Sequence, residues 1–353
     1  MKLFRHLVAL LLAGTLAAAL AQQTETTGPN GEPATLSAEI TLTEEEVVQV
    51  REGDYTAAFV WHTSSDFINA VSQGATDEFE RLGIEVVATT DAQFDAARQR
   101  SDVETVMTRG PDVILSLPLD AVVAAEAFRE AVEEGVQLVF LSNTAAGYEQ
   151  GEDFVATVTD DLFQMGKQAA DALASAMGEE GEVAFVFHDA EYYVTNQRDN
   201  AFKTTIENDY PNIEIVDSAG IADPARAEEI AQALLIRNPD LGGIYVTWAE
   251  PAEGFLAALR SQGNASTKIV TLDLSEPIAL DMVRGGNVVA IVADAAYELG
   301  RTMATTAAYG LLDKEAPPFI VAPALTITTA NIEEGYQESL NREPPQSILR
   351  AIE

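Results

Sequence analysis

The sequence predicts an α/β protein of parallel sheets divided into two similar lobes. Three observations predict it. From Tyr55 onward, apolar runs of strand length alternate with amphipathic segments of helix length, the pattern of βαβ units with right-handed crossovers. The run Ala58-Phe59-Val60-Trp61-His62 is answered by Ala184-Phe185-Val186-Phe187-His188, so one βα opening occurs twice. The 353 residues leave room for two domains, each with its own core. Two facing strand-to-helix elbows in one chain predict a cleft.

Taken in order, the chain starts with a positive segment (Lys2, Arg5), an apolar run over Leu7–Ala19 and an A-x-A site at Ala19-Leu20-Ala21. That is the layout of a signal peptide over 1–21. An uncleaved anchor is the alternative, but the run is shorter than the ~20 residues a span needs, and no later stretch reaches that length. Residues 22–53 form a lead-in. Gln22–Leu36, rich in Thr, Gly, Pro and Glu, is expected to be flexible. Thr43-Glu44-Glu45-Glu46 spells a capping box opening a short helix with Val47, Val48 and Val50.

The organising stretch is Tyr55–Gly83. Ala57–Trp61 reads as a strand buried on both faces, His62–Asp66 as a polar elbow, and Phe67, Ile68, Val71, Phe79 and Leu82 as the apolar stripe of a helix. Strands are expected at Ile84–Ala88, Val113–Leu117 and Val136–Leu141, with helices around Asp95–Met107 and Ala121–Glu134. A second series places strands near Val183–Phe187, Ile213–Val216, Ile244–Thr247 and Ile269–Leu272. Its helices fall near Val194–Asn208, Pro224–Arg237, Pro251–Gln262 and Pro277–Val283, with proline in the first turn, where a missing N–H costs little.

Composition narrows the function. Apolar residues make up 47% and charged residues 22% of the chain, a globular balance. The formal charge is −37, and losing Lys2 and Arg5 with the leader would take it to −39. Such a surface repels nucleic acid and anionic lipid, and its simplest use is solubility in a demanding medium. Cysteine is absent, so disulfides, thiolate metal sites and cysteine nucleophiles are excluded. Only His62 and His188 remain beyond the leader. No nucleophile elbow, zinc helix, P-loop or dinucleotide fingerprint occurs. An enzyme is not expected, and no cofactor or metal is called for.

Ligands of open α/β sheets bind at the carboxyl ends of strands. There the sequence offers His62, Asp66 and Phe67, then Ser142-Asn143, Arg198 on the second lobe's first helix, Trp248, Asp273 and Asp294. Carboxylates can accept from neighbouring hydroxyls, Arg and Asn can donate to sugar oxygens, and an indole can cover the C–H face of a ring. The set suits an uncharged polyhydroxylated molecule. Each residue also has a plainer use: Trp248 and Phe67 as core, Asp66 and Asp273 as helix caps, His62 as a hydrogen-bonded elbow residue.

Several stretches together carry a family likeness: AAFVWHTSSDFINAVSQGATDEFERLG, TDDLFQMGKQAADAL, TNQRDNAF, NPDLGGIYVTWAEPAEGFLAALRSQG and KIVTLDLSEPIALDMVRGG. From about Tyr55 to Glu333 the chain resembles the periplasmic sugar-binding proteins of ribose-type ABC importers, type I solute-binding proteins related to the LacI-repressor core. The resemblance implies two Rossmann-like lobes joined by a three-crossover hinge, the crossings falling at Val155–Asp161, Val288–Asp294 and Phe319–Thr328. It implies lobes of 54–160 plus 295–323 and 161–294 plus 324–335, with a tail over 336–353. It implies ligand contacts at His62, Asp66, Phe67, Asn143, Tyr193, Arg198, Trp248, Asp273 and Asp294. Two departures stand out. Ser142-Asn143 replaces an Asp-Arg pair, and Trp248 replaces an asparagine of the ribose binders. The expectation is therefore a monomeric periplasmic or otherwise extracytoplasmic protein, not membrane-embedded, that hands a small neutral sugar or polyol to an ABC permease. The alternatives are a sensor of a sugar or furanose-like signal, or a metal-binding protein using His62 and His188 with carboxylates.

Overall fold

The computed structural model describes residues 24–190 and 192–353; the leader expected over 1–21 lies outside them. In chain order the elements are β1 (Thr35–Leu36), α1 (Glu44–Arg51), β2 (Thr56–Trp61), α2 (Asp66–Leu82), β3 (Glu85–Asp91), α3 (Ala96–Met107), β4 (Val113–Ser116), α4 (Ala121–Ala127), α5 (Arg129–Glu133), β5 (Gln137–Leu141) and β6 (Ala156–Asp160). They continue with α6 (Leu162–Met177), β7 (Gly181–His188), α7 (Tyr193–Asp209), β8 (Ile213–Ile221), α8 (Ala227–Arg237), β9 (Gly243–Val246), α9 (Ala249–Ser261), β10 (Lys268–Leu272), α10 (Glu276–Val283) and β11 (Val288–Ala293). The last are α11 (Ala296–Leu311), β12 (Phe319–Ala322), β13 (Leu325–Ile327), α12 (Ile332–Leu340) and α13 (Gln346–Ile352).

The strands form two sheets, ordered β1-β12-β6-β5-β4-β2-β3 and β13-β11-β10-β9-β7-β8. All pairings are parallel except β11 with β13. Three passages join the sheets. The chain leaves β6 for α6, which packs on β9, β10 and β11; it returns from β11 into α11, which packs on α2 and β4–β6; and it passes directly from β12 to β13. The fold is thus two α/β lobes with three crossovers.

Both openings bury both faces, as their unbroken apolar runs require. In β2, Ala57, Phe59 and Trp61 enter one core cluster while Ala58 and Val60 enter another. In β7, Ala184 and Val186 likewise part from Val183 and Phe185. Glycines let helices meet closely in each lobe. A Cβ on Gly74 of α2 would collide with the Tyr297 carbonyl of α11, and one on Gly166 of α6 with the Arg198 carbonyl of α7. The second contact fixes the backbone beneath a candidate site residue.

The capping box is as written in the sequence. Thr43 Oγ1 accepts from Glu46 N, Glu46 accepts from Thr43 N, and Val47 and Val50 are buried while Val48 is not. The lead-in is not a loose strand of chain. Thr26, 4% exposed, donates to Asp161 Oδ1 (2.5 Å) and accepts from Phe163 N (2.9 Å), and Thr35–Leu36 pairs beside β12. The first turn of α6 has N–H groups without intrahelical partners, and Thr26 supplies an acceptor for one. The helix expected over Ala121–Glu134 is interrupted at Phe128, which has ψ near 0°. At the C-terminus, the boundary expected between 335 and 336 falls inside α12, and the tail carries α13 packed on α10.

Candidate binding cleft

The second lobe gathers its polar groups around Arg198. This residue lies on α7, 5% exposed, its backbone pressed against Gly166. Its Nη1 donates to Asp273 Oδ1 at 3.0 Å and lies 3.9 Å from Asp294 Oδ1, and its Nη2 donates to the Thr247 carbonyl at 3.3 Å. Its Nε has no protein partner among the described residues. Asp273 follows β10 in the left-handed region (φ 64°), and Ser142 occupies the same place after β5 (φ 65°). Non-glycine residues adopt that conformation at a cost, and it clusters at ligand sites. Asp273 does not cap the next helix, whose N-cap is Ser275; its carboxylate turns to Arg198 instead.

Two crossovers end beneath this group. Asp160 closes β6 at 3% exposed and Asp294 follows β11 at 6% exposed. Asp160 Oδ1 accepts from Ala295 N at 3.2 Å. Burial pushes the Asp160 carboxyl up to about 7. Burial, with Asp273 and Asp160 beside it, raises Asp294 well above the usual range. Next to Arg198, Asp199 accepts from Tyr245 Oη (2.7 Å) and His188 N (2.9 Å), tying α7 to β7 and β9.

An aromatic group lies beside the charges. His188 meets Trp248 edge-on with ring centres 4.8 Å apart, and Tyr192 stacks on His188 at 5.1 Å. Burial, then the nearby Arg198, lowers the His188 pKa, which favours the neutral ring. Tyr192 is raised by burial and by Asp120, which caps α4 in the first lobe. Tyr192 thus lies within electrostatic range of the first lobe.

The first lobe is arranged differently. His62 is held down to about 4 by burial, opposed by Asp91; its Nδ1 has no partner among the described residues and its ring meets Phe94 edge-on at 5.2 Å. Ser65 caps α2 by accepting from Ile68 N at 3.2 Å. Asp66 stands in the first turn and accepts from Arg342 Nη2 at 2.6 Å. Phe67 packs on the core, and Asn143 Nδ2 donates to the Pro118 carbonyl at 3.2 Å.

Of the residues expected from sequence, Arg198, Asp273 and Asp294 are in one cluster, and Trp248 follows Thr247, whose carbonyl Arg198 holds. Tyr193 is turned elsewhere. It donates from Oη to the Thr27 carbonyl and meets Phe319 edge-on at 6.3 Å, whereas its neighbour Tyr192 stacks on His188. Asp160 and Arg342 were not among the ligand contacts expected from sequence, and His188 was expected only in the alternative metal site. Asp160 had a signal, since it sits at a crossover beside Asp161, which caps α6; Arg342 had none. Hollows of about 380 and 400 Å³ lie elsewhere, one lined by Glu333, Gln337 and Leu349, the other at the amino ends of first-lobe strands near Tyr55 and Pro111. Among the described residues no group of three His, Cys, Asp or Glu side chains is placed to hold a metal ion, and no helix is long and apolar enough to cross a membrane.

Comparison with known proteins agrees with this architecture. The family described as periplasmic binding protein domain matches residues 56–315. The ribose import binding protein RbsB of Salmonella typhimurium is 24% identical over 267 residues, covering 76% of this chain and 88% of that protein. RbsB of Bacillus subtilis is 27% identical over 262 residues, covering 74% and 82%. Among solved structures, an ABC transporter solute-binding protein from Agrobacterium vitis with bound α-D-tagatopyranose superposes with a TM-score of 0.71 at 21% identity, covering 79% of this chain and 96% of that one. With two parallel-sheet lobes, three crossovers and a family match over most of its length, the chain belongs to the periplasmic binding proteins, and its relatives are those of ribose-type sugar importers.

Proposed function

We propose that this protein captures a monosaccharide or sugar alcohol between its lobes, outside the cytoplasm, and presents it as a monomer to an ABC permease. One jaw is 54–160 with 295–323, the other 161–294 with 324–335. The observation that carries the proposal is the Arg198–Asp273–Asp294 cluster, fixed at strand ends of one lobe and bordered by Trp248 and His188. Asp273 and Asp294 are there to accept from ligand hydroxyls, Arg198 to hold those carboxylates in place, and the indole to cover a ring face. His62, Phe67 and Asn143 supply the opposite wall. Hydrogen bonds to charged groups are worth roughly 1.5–3 kcal/mol each, so three or four exceed the ~8 kcal/mol of a micromolar complex before ordering costs. Such a site binds; no group in it is arranged as nucleophile and base.

Closure follows from the same placement. A ligand held from both sides favours the closed arrangement by its difference in affinity for the two forms, and one with no difference shifts nothing. A thermal-shift screen of pentoses, hexoses and polyols tests the proposal. The best ligand should raise the melting temperature of the wild type but not of Trp248→Ala or Asp273→Ala. Full stabilisation of both variants would place the ligand elsewhere.

A further inference from the structure

The last stretch of the chain touches an elbow of each lobe. α12 lies against α2 and α11 of the first lobe and β13 of the second, and α13 packs on α10 of the second. Tyr336, Leu340 and Ile348 enter one apolar cluster with Val71 of α2 and Ile278 of α10. Only Asn341 to Pro345 separate α12 from α13. From this short link, Arg342 Nη2 donates to Asp66 Oδ2 at 2.6 Å. At the start of α13, Ser347 Oγ donates to Glu276. Asp66 opens α2 after β2 and Glu276 opens α10 after β10, so the two acceptors stand at strand-to-helix elbows of opposite lobes. Beside them, the buried Tyr336 hydroxyl has no partner among the described residues. Burial raises its pKa, Arg342 opposes the rise, and Glu276 and Asp66 add to it. Both carboxylates and the guanidinium are thus within range of one group.

Such a link has a fixed reach. Arg342 and Ser347 are five residues apart, at most about 18 Å of extended chain, and Pro344-Pro345 between them stiffens it. Ile348, fully buried, seats α13 on its neighbours. α13 therefore follows α10 while Asp66 follows α2. Lobes that swing apart must break the Arg342–Asp66 pair or pull α13 from its seat, and the pair, half-exposed on both sides, is the weaker hold. Arg342 is also the cation of a cluster that otherwise holds Asp66 and Glu276, in a chain of formal charge −37. Its loss leaves like charges near one another. We infer that the segment from Arg342 to Ser347 is a strap across the lobes that holds the two elbows together, with Arg342 as its release point. The family match ends at residue 315, so the strap lies in the part of the chain beyond it. The inference does not depend on what the cleft holds.

The chain lacks cysteine, so nitroxides on Val122→Cys of the first lobe and Ala222→Cys of the second, both exposed, measure lobe separation with no sugar present. In about 50 mM KCl, Arg342→Ala, shown to be folded by its thermal melt, should raise the ratio of far to near separations about two- to fivefold. In about 1 M KCl, where the Debye length falls to about 3 Å, wild type and variant should converge. Arg342→Lys keeps the charge and should stay near the wild type at low salt. A contact that only stabilised the fold would lower the melt and leave the separations alone. Equal distributions for wild type and Arg342→Ala at low salt overturn the inference. So does an Arg342→Lys as open as Arg342→Ala, or a difference that persists at high salt. Sugar capture stands or falls separately, because no sugar enters the experiment.

Discussion

The two elbows occupy corresponding places in similar lobes, yet they are held in different ways. In the second lobe, Arg198, Asp273 and Asp294 satisfy one another within a buried cluster, with the backbone of α7 wedged on Gly166. In the first, Asp66 reaches outward to Arg342, His62 leans on the exposed Phe94, and Asn143 bonds a neighbouring loop. One lobe is a preorganised electrostatic floor; the other is a wall whose polar groups are tied to the rim. A cleft built this way can fix the ligand's orientation on the second lobe before closure and add the first lobe's contacts afterwards.

Breaking the floor should therefore cost far more than breaking the rim. Arg198→Met leaves buried carboxylates uncompensated and should destabilise the unliganded protein by about 3–5 kcal/mol, read by urea denaturation. A loss below about 1 kcal/mol would mean that the cluster does not organise its lobe.

The crossover pair gives a pH signature of the same asymmetry. The Asp160 carboxyl is raised to about 7 in the folded state, so the native protein holds its proton more tightly than the unfolded chain does. That contribution is present in acid and is lost as pH climbs from about 4 to about 7. The stability of wild type relative to Asp160→Asn should accordingly fall across that window. A difference that stays flat, or rises, would remove the raised Asp160 carboxyl from the account.

The rim should yield the smallest effect. Arg342→Ala removes a half-exposed ion pair with Asp66 and should change stability by less than about 1 kcal/mol. A loss as large as that of Arg198→Met would erase the distinction between the elbows.

What the sequence made legible follows the range of each interaction. The capping box at Thr43 and Glu46 was readable because both partners lie within one turn. The strands of both openings were readable because burial on two faces leaves a continuous apolar run. Arg198 and Asp273 are 75 residues apart and were placed together only through family likeness. Nothing in the local pattern links Asp66 to Arg342 or Thr26 to Asp161, because polar segments read as loops wherever their partners are distant in sequence. Tyr192 and Tyr193 show the limit most sharply. Tyr192 is the extended N-cap of α7 (φ −105°, ψ 125°) and Tyr193 its first helical residue, and that change of backbone separates a ring stacked on His188 from one bonded to the lead-in.

The central claim is that the lobes close on the ligand, and the absence of cysteine makes it directly measurable. Spin labels on Val122→Cys, in the first turn of α4, and Ala222→Cys, just after β8, both exposed and on opposite lobes, report the separation of the rims. Saturating ligand, with binding verified by calorimetry on the labelled protein, should shorten and narrow the distance distribution. An unchanged distribution with ligand bound would contradict the account.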